Sequence, residues 1–593
     1  MRAGILVLFL AVTAYANSLG NGFAYDDEGI LTRNPAVTSG DWTGALEGPW
    51  WPGAAAGTGL YRPVTSASFA VEWRLFEGGP LGFHALNVAT HAVVSLLVFA
   101  LLLQLGSPIG ALVGGALFAI HPVHTEAVAN VVGRAELYAA AFYLAACVLY
   151  WRGRDWEGAR RIVRLVALGA LYFLAVASKE IGVTLPGALV LLELYAARLE
   201  MRGVAPLLRG MRREAATALV LIVALAAYLG ARFMILGSVG GERIAPTFEV
   251  VGPGARVLTA LALWFQYVRL LLFPVDLIAD YDPAVFFPSE GLDLGVVLGV
   301  ASLGALAITA IKSWRPAPLV TLGILFFAIA VLPVSNLLFS TGTVLAERTL
   351  YLPSVGLSLV VAGLVGPVLA LRPAARRALI ACAALALVAL FARTVARNPA
   401  WMSTFVVLQT LNDEHPESWR AFRSRAQGLA RVGDMPRAAE AWDQAVLLAP
   451  ADYTLLVEAA DFHVRTGDAE RGAAYLRRAV ALAPNLVNAY QHLAAHLIRQ
   501  GSGREGHRVA LEGLIRAGND AELWALVSES YITRGDLPAA IRAREAALVA
   551  GPSAAGWHRM GELLDAVGDS SRAGEARARA ASVERTDTAG RAP

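Results

Sequence analysis

The chain has 593 residues, 56% hydrophobic and only 16% charged, and its mean hydropathy of +0.53 excludes an ordinary soluble globular protein. A net charge of +3 is too small to point to a nucleic-acid partner. The two cysteines, Cys147 and Cys382, both fall in apolar runs, which argues against a disulfide framework or a thiolate metal site. The apolar runs stop near Phe391, and the rest is charged and Ala-rich. Two domains of different solvent preference are therefore expected. Residues 1–398 form the membrane part, 399–416 a linker, 417–585 a repeat solenoid and 586–593 a disordered tail.

In chain order, residues 1–19 combine Arg2, an apolar core and Ala14-Tyr15-Ala16, a pattern shared with cleaved signal peptides. A retained first helix is preferred, because ten more apolar segments follow. Residues 20–82 read as a long loop with few apolar runs, holding Asp26-Asp27-Glu28, Tyr61-Arg62-Pro63 and the tryptophans Trp42, Trp50, Trp51 and Trp73. Further spans of roughly 17–22 residues lie near 83–104, 109–122, 134–151, 165–178, 183–198, 215–234, 292–311, 317–338, 350–370 and 378–396. The apolar stretch 256–273 carries Gln266 and Arg269 and runs into Asp276, Asp280 and Asp282. Arginine clusters at 152–164, 198–213, 312–315 and 372–377 share the cytoplasmic side only if 256–273 does not cross. It is therefore read as a re-entrant or interfacial helix. About eleven spans remain, with the amino terminus cytoplasmic and the carboxy-terminal part outside.

The last third repeats. Pro416, Pro450, Pro484, Gly518 and Pro552 recur at one spacing, and Gly433, Gly467, Gly501 and Gly535 at the same spacing, with Gly568 one residue early. Small residues keep register at Ala445, Ala479, Gly513 and Ala547. A helix–turn–helix of this period resembles the tetratricopeptide (TPR) pattern. Four repeats and a closing helix are expected over about 417–581, stacked as an α-solenoid of the kind that binds extended peptide. The fold class is thus all-α: a polytopic membrane bundle followed by a TPR solenoid.

This topology places one set of ionisable residues on the outer side. They are Asp26, Asp27, Glu28 and Arg62; His84, Asn87 and His91, on one helical face; His121, His124, Glu126, Asn130, Arg134 and Glu136; Lys179 and Glu180; and Glu347, Arg348 and Tyr351. Three consecutive carboxylates cannot sit unpaired in hydrocarbon, so they lie at the membrane edge or in a polar cavity. A solvated loop is the plain reading of them, and interior hydrogen bonding that of His84 and His91. Acids beside arginine and lysine in one cavity suit a substrate combining a phosphate with a hydroxyl to be deprotonated.

The motifs that carry a resemblance are the first-loop acids, Tyr61-Arg62-Pro63, His121-Pro122-Val123-His124-Thr125-Glu126, Gly133-Arg134-Ala135-Glu136, Ser178-Lys179-Glu180 and the stretch Ala346 to Ser354. Together they resemble the transmembrane and TPR-containing O-mannosyltransferase-like proteins of the GT-C glycosyltransferases, over essentially the whole chain. Thr349 departs from the pattern, where an aromatic is usual, and hardly touches the chemistry. The resemblance implies inverting transfer of mannose or a similar hexose from a polyprenyl-phosphate-linked donor to Ser/Thr hydroxyls of exported proteins. It implies that Asp27 or Asp26 is the general base, and that Arg348 and Lys179, with Arg134 as a third candidate, hold the lipid phosphate. His124 and Glu126 are candidates for the sugar site, Arg62 for pairing with the acids, and Glu28, Glu180 and Tyr351 for substrate contacts. No metal or other cofactor is expected. The location implied is the inner membrane of a bacterium, with the acidic loop and the repeats periplasmic and the repeats recruiting the acceptor or a partner.

Two alternatives stand beside this. An O-antigen ligase or polymerase also joins many helices to repeats, but carries its essential residues in a large late loop, and 337–349 is short. A non-catalytic TPR membrane scaffold leaves the buried charges of eleven spans without a purpose. A transporter is disfavoured because no internal duplication of the membrane half is visible.

Overall fold

The computed structural model describes the chain except for residues 1, 53–58, 200–213, 241–247, 249–251, 282–287, 485–486 and 590–593, and the side chains of 199 and 584–589. Arg202, Arg209, Arg212, Arg213 and Asp282 therefore lie outside the described residues. Every regular element among the described residues is helical. The chain divides into two compact units, Met1–Pro416 and Glu417–Pro593.

In the first unit, α1 (Arg2–Tyr15) continues as a 3-10 turn to Gly20. The stretch read as a loop contains α2 (Pro35–Thr38), α3 (Trp42–Leu46) and α4 (Pro63–Phe76). There follow α5 (Pro80–Leu105), α6 (Pro108–Ile120), α7 (Thr125–Ala129), α8 (Arg134–Arg152), α9 (Gly158–Ser178) and α10 (Leu185–Leu199). The remaining helices are α11 (Ala215–Leu236), α12 (Pro253–Leu272), α13 (Leu294–Ser313), α14 (Pro318–Val331), α15 (Ser354–Leu369), α16 (Pro373–Arg397) and α17 (Thr404–Glu414). Proline opens α4, α5, α6, α12, α14 and α16, where its missing N–H costs nothing and its fixed φ suits the first turn.

Among the described residues nine helices are long and apolar enough to cross a membrane, and a tenth span arises if the pair 108–120 and 122–129, bent by 47°, is counted as one. Two shorter apolar helices, 318–334 and 354–369, complete the set. All eleven expected segments are helical. Ile5, Phe9, Ile162, Leu219, Ile222 and Leu385 are largely exposed on the outside of the bundle, a surface suited to lipid. Helix α9 starts seven residues before the expected 165, because Arg164 is buried, paired with Glu214 at 3.1 Å and set over the Tyr150 ring. The close packing of α6, α14 and α15 depends on glycine. A Cβ on Gly114 would lie 2.7 Å from the Ser358 carbonyl, and one on Gly356 2.5 Å from the Gly323 carbonyl, so no larger residue fits there.

By length and composition α12 could cross a membrane, but its contacts tie both ends to one end of the bundle. Gly106, Leu319 and Gly363 cluster at one end, so His121 and Asn336, at the far ends of α6 and α14, mark the other. Arg256 donates to the Asn336 carbonyl at 3.0 Å, and His121 bonds the Leu271 carbonyl at 2.9 Å. Both termini of α12 therefore meet the end that carries His121, the arrangement expected of a re-entrant or interfacial helix.

Residues 399–416, expected to be a linker, belong to the first unit. Val407 and Leu411 are buried one helical turn apart on α17, and Arg397 pairs with Glu414 at 2.7 Å.

Among its described residues the second unit consists of five helix pairs, not four and a closing helix. They are Trp419–Arg431 with Met435–Leu448, Tyr453–Thr466 with Ala469–Leu482, Val487–Arg499 with Gly503–Arg516, Ala521–Ile532 with Leu537–Ala550, and Ala554–Ala566 with Ser570–Ala589. Each pair turns on one glycine of the ladder, with φ between +78° and +97° from Gly433 to Gly568, a conformation costly for any residue with a Cβ. Gly568 makes the same turn despite its shifted spacing, which is how the fifth pair escaped the sequence count. The last helix runs to Ala589, past the residue where disorder was expected to begin.

Candidate active site

The acidic loop follows the first helix and is pinned by its own middle residue. Asp27 is fully buried. Its Oδ2 accepts from the Ala24 and Val131 N–H groups at 3.0 and 3.4 Å, and its Oδ1 from the Val132 N–H at 2.8 Å. Asp27 therefore clamps the loop to the 3-10 turn Val131–Gly133 that opens α8. Burial pushes its carboxyl up to about 7, against the pull of the three backbone N–H groups and with a small further push from Asp26.

A carboxyl raised on folding holds its proton more tightly in the folded chain than in the unfolded one. Its contribution to stability is fully present below about pH 4 and is lost as the pH rises towards about 7. Between pH 5 and 8, wild-type stability measured against Asp27→Asn should therefore fall with rising pH, by at most about 1.4 kcal/mol per pH unit. Thermal unfolding at stepped pH reads this, and a flat difference would contradict it.

The two neighbours of Asp27 point elsewhere. Glu28 accepts from the Thr404 hydroxyl and pairs with Arg33. Asp26 is only partly buried, with Oδ2 3.7 Å from Nη1 of Arg348. Arg348 sits in the 3-10 turn Glu347–Leu350, whose successive side chains go to different neighbours. Glu126 grips Arg348 twice, accepting its backbone N–H at 2.8 Å and pairing with its guanidinium at 2.5 Å. Glu347 turns away to accept from the Ile278 N–H and the Tyr281 hydroxyl, and burial raises its carboxyl to about 8.

Two more ion pairs complete the cluster. Lys179 pairs with the buried Glu136, whose Oε2 makes no hydrogen bond among the described residues. Arg62 meets Glu180 through three N–H···O contacts, the shortest 2.8 Å, and lies 5.0 Å from the centre of the Trp50 ring. The pairs are within electrostatic reach of one another. Burial lowers Lys179, Glu136 opposes this, and Arg62 and Arg348 push it down further. Burial also acts to lower Arg348, but Glu126, Asp26 and Glu136 outweigh it and hold the guanidinium above its ordinary value. Exposure shows which side is open. Glu126 keeps 1% of its side-chain surface, whereas Arg348 and Asp26 keep 22% and 21%. The accessible edge of the cluster thus includes a carboxylate and a guanidinium side by side, Asp26 and Arg348, with Glu180 also open at 27%. That edge can take a proton and bind an anion in one place.

Three expected site residues are placed elsewhere. Arg134 is fully buried, forks onto Glu72, and donates to the Asn87 side chain and to the Phe83 carbonyl, so its guanidinium is committed to these partners. His124 is buried against Phe118 and Tyr351 and bonds the Ser354 hydroxyl at 2.8 Å. Tyr351 is buried with its hydroxyl 2.7 Å from His91 Nδ1. The last two are core residues. Arg62 pairs with Glu180, where pairing with the first-loop acids was expected. Sequence reasoning missed Glu72 and Thr404. A lone acid between aromatics in the apolar α4 signals a buried partner. Nothing in the pattern around Thr404 marks it.

The fold and this cluster define a polytopic helical membrane protein with a charged site at one end of its bundle and a tetratricopeptide-like repeat unit after it. The chain is similar to the TMTC protein O-mannosyl-transferases. It is 29% identical over 375 residues to protein O-mannosyl-transferase F38B6.6 of Caenorhabditis elegans, covering 61% of this chain and 51% of that one. It is 25% identical over 585 residues to TMTC3 of Mus musculus, covering 90% and 61%, and 29% identical over 404 residues to TMTC4 of Homo sapiens, covering 60% and 54%. The chain thus spans between half and three fifths of these relatives' length. No protein-family model matches it. A MamA structure from Desulfovibrio magneticus RS-1 aligns with 28% of this chain and 96% of its own at 20% identity and a TM-score of 0.26, a likeness too low to bear weight.

Proposed function

We propose that the protein is a membrane glycosyltransferase of the GT-C class that transfers mannose or a similar hexose from a polyprenyl-phosphate-linked donor to Ser/Thr hydroxyls of exported proteins. The observation that carries the reading is the open edge of the cluster, where Asp26 and Glu126 share Arg348. Asp26, and not the clamped Asp27, takes the hydroxyl proton as the acceptor oxygen attacks the anomeric carbon. The bond from that carbon to the phosphate oxygen breaks in the same displacement, so the anomeric configuration inverts and polyprenyl phosphate leaves with the electron pair. A phosphate leaving group is weakly basic and needs little acid assistance. Arg348, with Lys179 behind it, stabilises the charge that builds there. The reading needs no metal. The acidic loop and repeats face the periplasm of a bacterial inner membrane with the amino terminus cytoplasmic, and the repeats raise the local concentration of acceptor. The names of the relatives and the charged cluster at one end of the bundle support this reading.

The test is transfer by the purified full chain from a synthetic polyprenyl-phosphate mannose to Ser/Thr peptides of secreted proteins, read as a hexose mass on the peptide. Arg348→Gln is expected to lower the rate by about 10²- to 10³-fold, the scale for losing one preorganised donor to a developing anion. A wild type that adds no hexose would refute the reading, and an Arg348→Gln variant as fast as wild type would remove the phosphate role.

A further inference from the structure

Thr404 lies outside the charged cluster, on the stretch expected to be a mere linker. Yet the strap from Asn398 to Glu414 is bonded along the acidic loop. Asn21 donates to the Asn398 carbonyl at 3.1 Å, and the Gly22 N–H to the Met402 carbonyl at 2.9 Å. Trp401 and Val407 close a small apolar cluster with Ala24 and Ala129. The Thr404 hydroxyl makes two bonds at once. It accepts the Tyr25 N–H at 2.8 Å and donates to the Glu28 carboxylate. One oxygen therefore spans the loop from residue 25 to residue 28, with Asp26 and Asp27 between its two partners.

The residue it holds is strained. Tyr25 has φ +56°, left-handed backbone that a residue with a large side chain adopts only when its surroundings enforce it. That conformation sets the direction in which the turn of Asp26 to Glu28 leaves Ala24, and within that turn Asp26 lies beside Arg348 while Asp27 enters the clamp. Without an acceptor for the Tyr25 N–H, the loop can relax to ordinary backbone and Asp26 leaves its position beside Arg348.

We propose that Thr404 is a positioning residue for the transfer reaction, its hydroxyl locking the acidic loop so that Asp26 is held beside Arg348. The inference rests on the transferase reading for its catalytic part. Its conformational part stands without that reading. The strap is also the last segment before the repeats begin at Glu417, so the site is completed by residues that follow the last helix of the bundle.

The experiment uses the full chain as wild type, Thr404→Val and Thr404→Ser, with two readouts. Hydrogen exchange at the amides of residues 20–33 reports the lock directly, and transfer from polyprenyl-phosphate mannose reports its consequence. Thr404→Val keeps the shape and loses the hydroxyl. It is expected to speed exchange at Tyr25 by about tenfold or more and to lower kcat by about 10- to 100-fold, with KM for the donor changed less than about twofold. Thr404→Ser keeps the hydroxyl and is expected to restore both. Unchanged exchange in Thr404→Val overturns the proposal whatever the activity, and so does faster exchange with an undiminished kcat. A Thr404→Ser variant as impaired as Thr404→Val also overturns it, since packing of the methyl group would then be what matters. A wild type inactive with every donor would refute the transferase reading alone, leaving exchange to decide the lock.

Discussion

Asp26→Asn is expected to lower transfer by about 10²- to 10⁴-fold, the range for loss of a positioned general base, while moving stability by no more than about 0.5 kcal/mol. The side chain is partly open and its contact with Arg348 is long, at 3.7 Å, so the fold loses little with the charge. Asp27→Ala should do the reverse to the fold. It leaves the Ala24, Val131 and Val132 N–H groups without their acceptor, at about 1–3 kcal/mol for each buried donor that cannot reach water. Activity then falls because the loop has moved, and the loss tracks thermal destabilisation. Single-turnover transfer and thermal unfolding on the same preparations separate the two aspartates. Undiminished transfer by Asp26→Asn would end its assignment as base. A stable, inactive Asp27→Ala beside an active Asp26→Asn would exchange the two roles.

The membrane spans and the repeats were legible because each rests on a pattern that survives without tertiary context. Apolar runs near the length of a bilayer crossing read as helices, and a fixed spacing of glycine and proline reads as stacked hairpins. The site was half legible. Motifs such as Ser178-Lys179-Glu180 and Ala346-Glu347-Arg348 brought forward residues that the fold gathers into one charged cluster, because charges amid apolar sequence need a reason to be there. Their partners were not legible. Arg62 and Glu180 are far apart in sequence, and only the packed bundle makes them a pair. The choice between Asp26 and Asp27 turns on the Val131 and Val132 N–H groups that hold Asp27, a contact that neither composition nor spacing announces. Residues 399–416 follow the last apolar run and precede the first repeat, which reads as a linker. The spacing of Val407 and Leu411 already marked a helix with one buried face.

Glu72→Ala is expected to be among the most destabilising single changes, costing about 3–5 kcal/mol, because it leaves a buried guanidinium without its counter-charge. Arg134 keeps no solvent exposure on its side chain and is held by Glu72 on α4 and by Phe83 and Asn87 on α5. Asn87 in turn donates to the Val128 and Asn130 carbonyls at 3.1 and 3.0 Å, directly before the Val131 and Val132 N–H groups that hold Asp27. Losing Glu72 should therefore loosen the acidic loop as well as the helix packing. Glu72→Gln, which keeps the oxygen and loses the charge, should cost less. Arg134→Lys should cost nearly as much as Glu72→Ala, since an ammonium cannot reproduce the fork. The double change Glu72→Ala with Arg134→Met should be milder than the sum of the single changes, because no charge is then stranded. Thermal unfolding of wild type, Glu72→Ala, Arg134→Met and the double variant closes the cycle. A Glu72→Ala variant losing less than about 1 kcal/mol would mean that Arg134 finds water or a ligand when its partner goes. That result would return Arg134 to the list of phosphate-binding residues from which its burial now removes it.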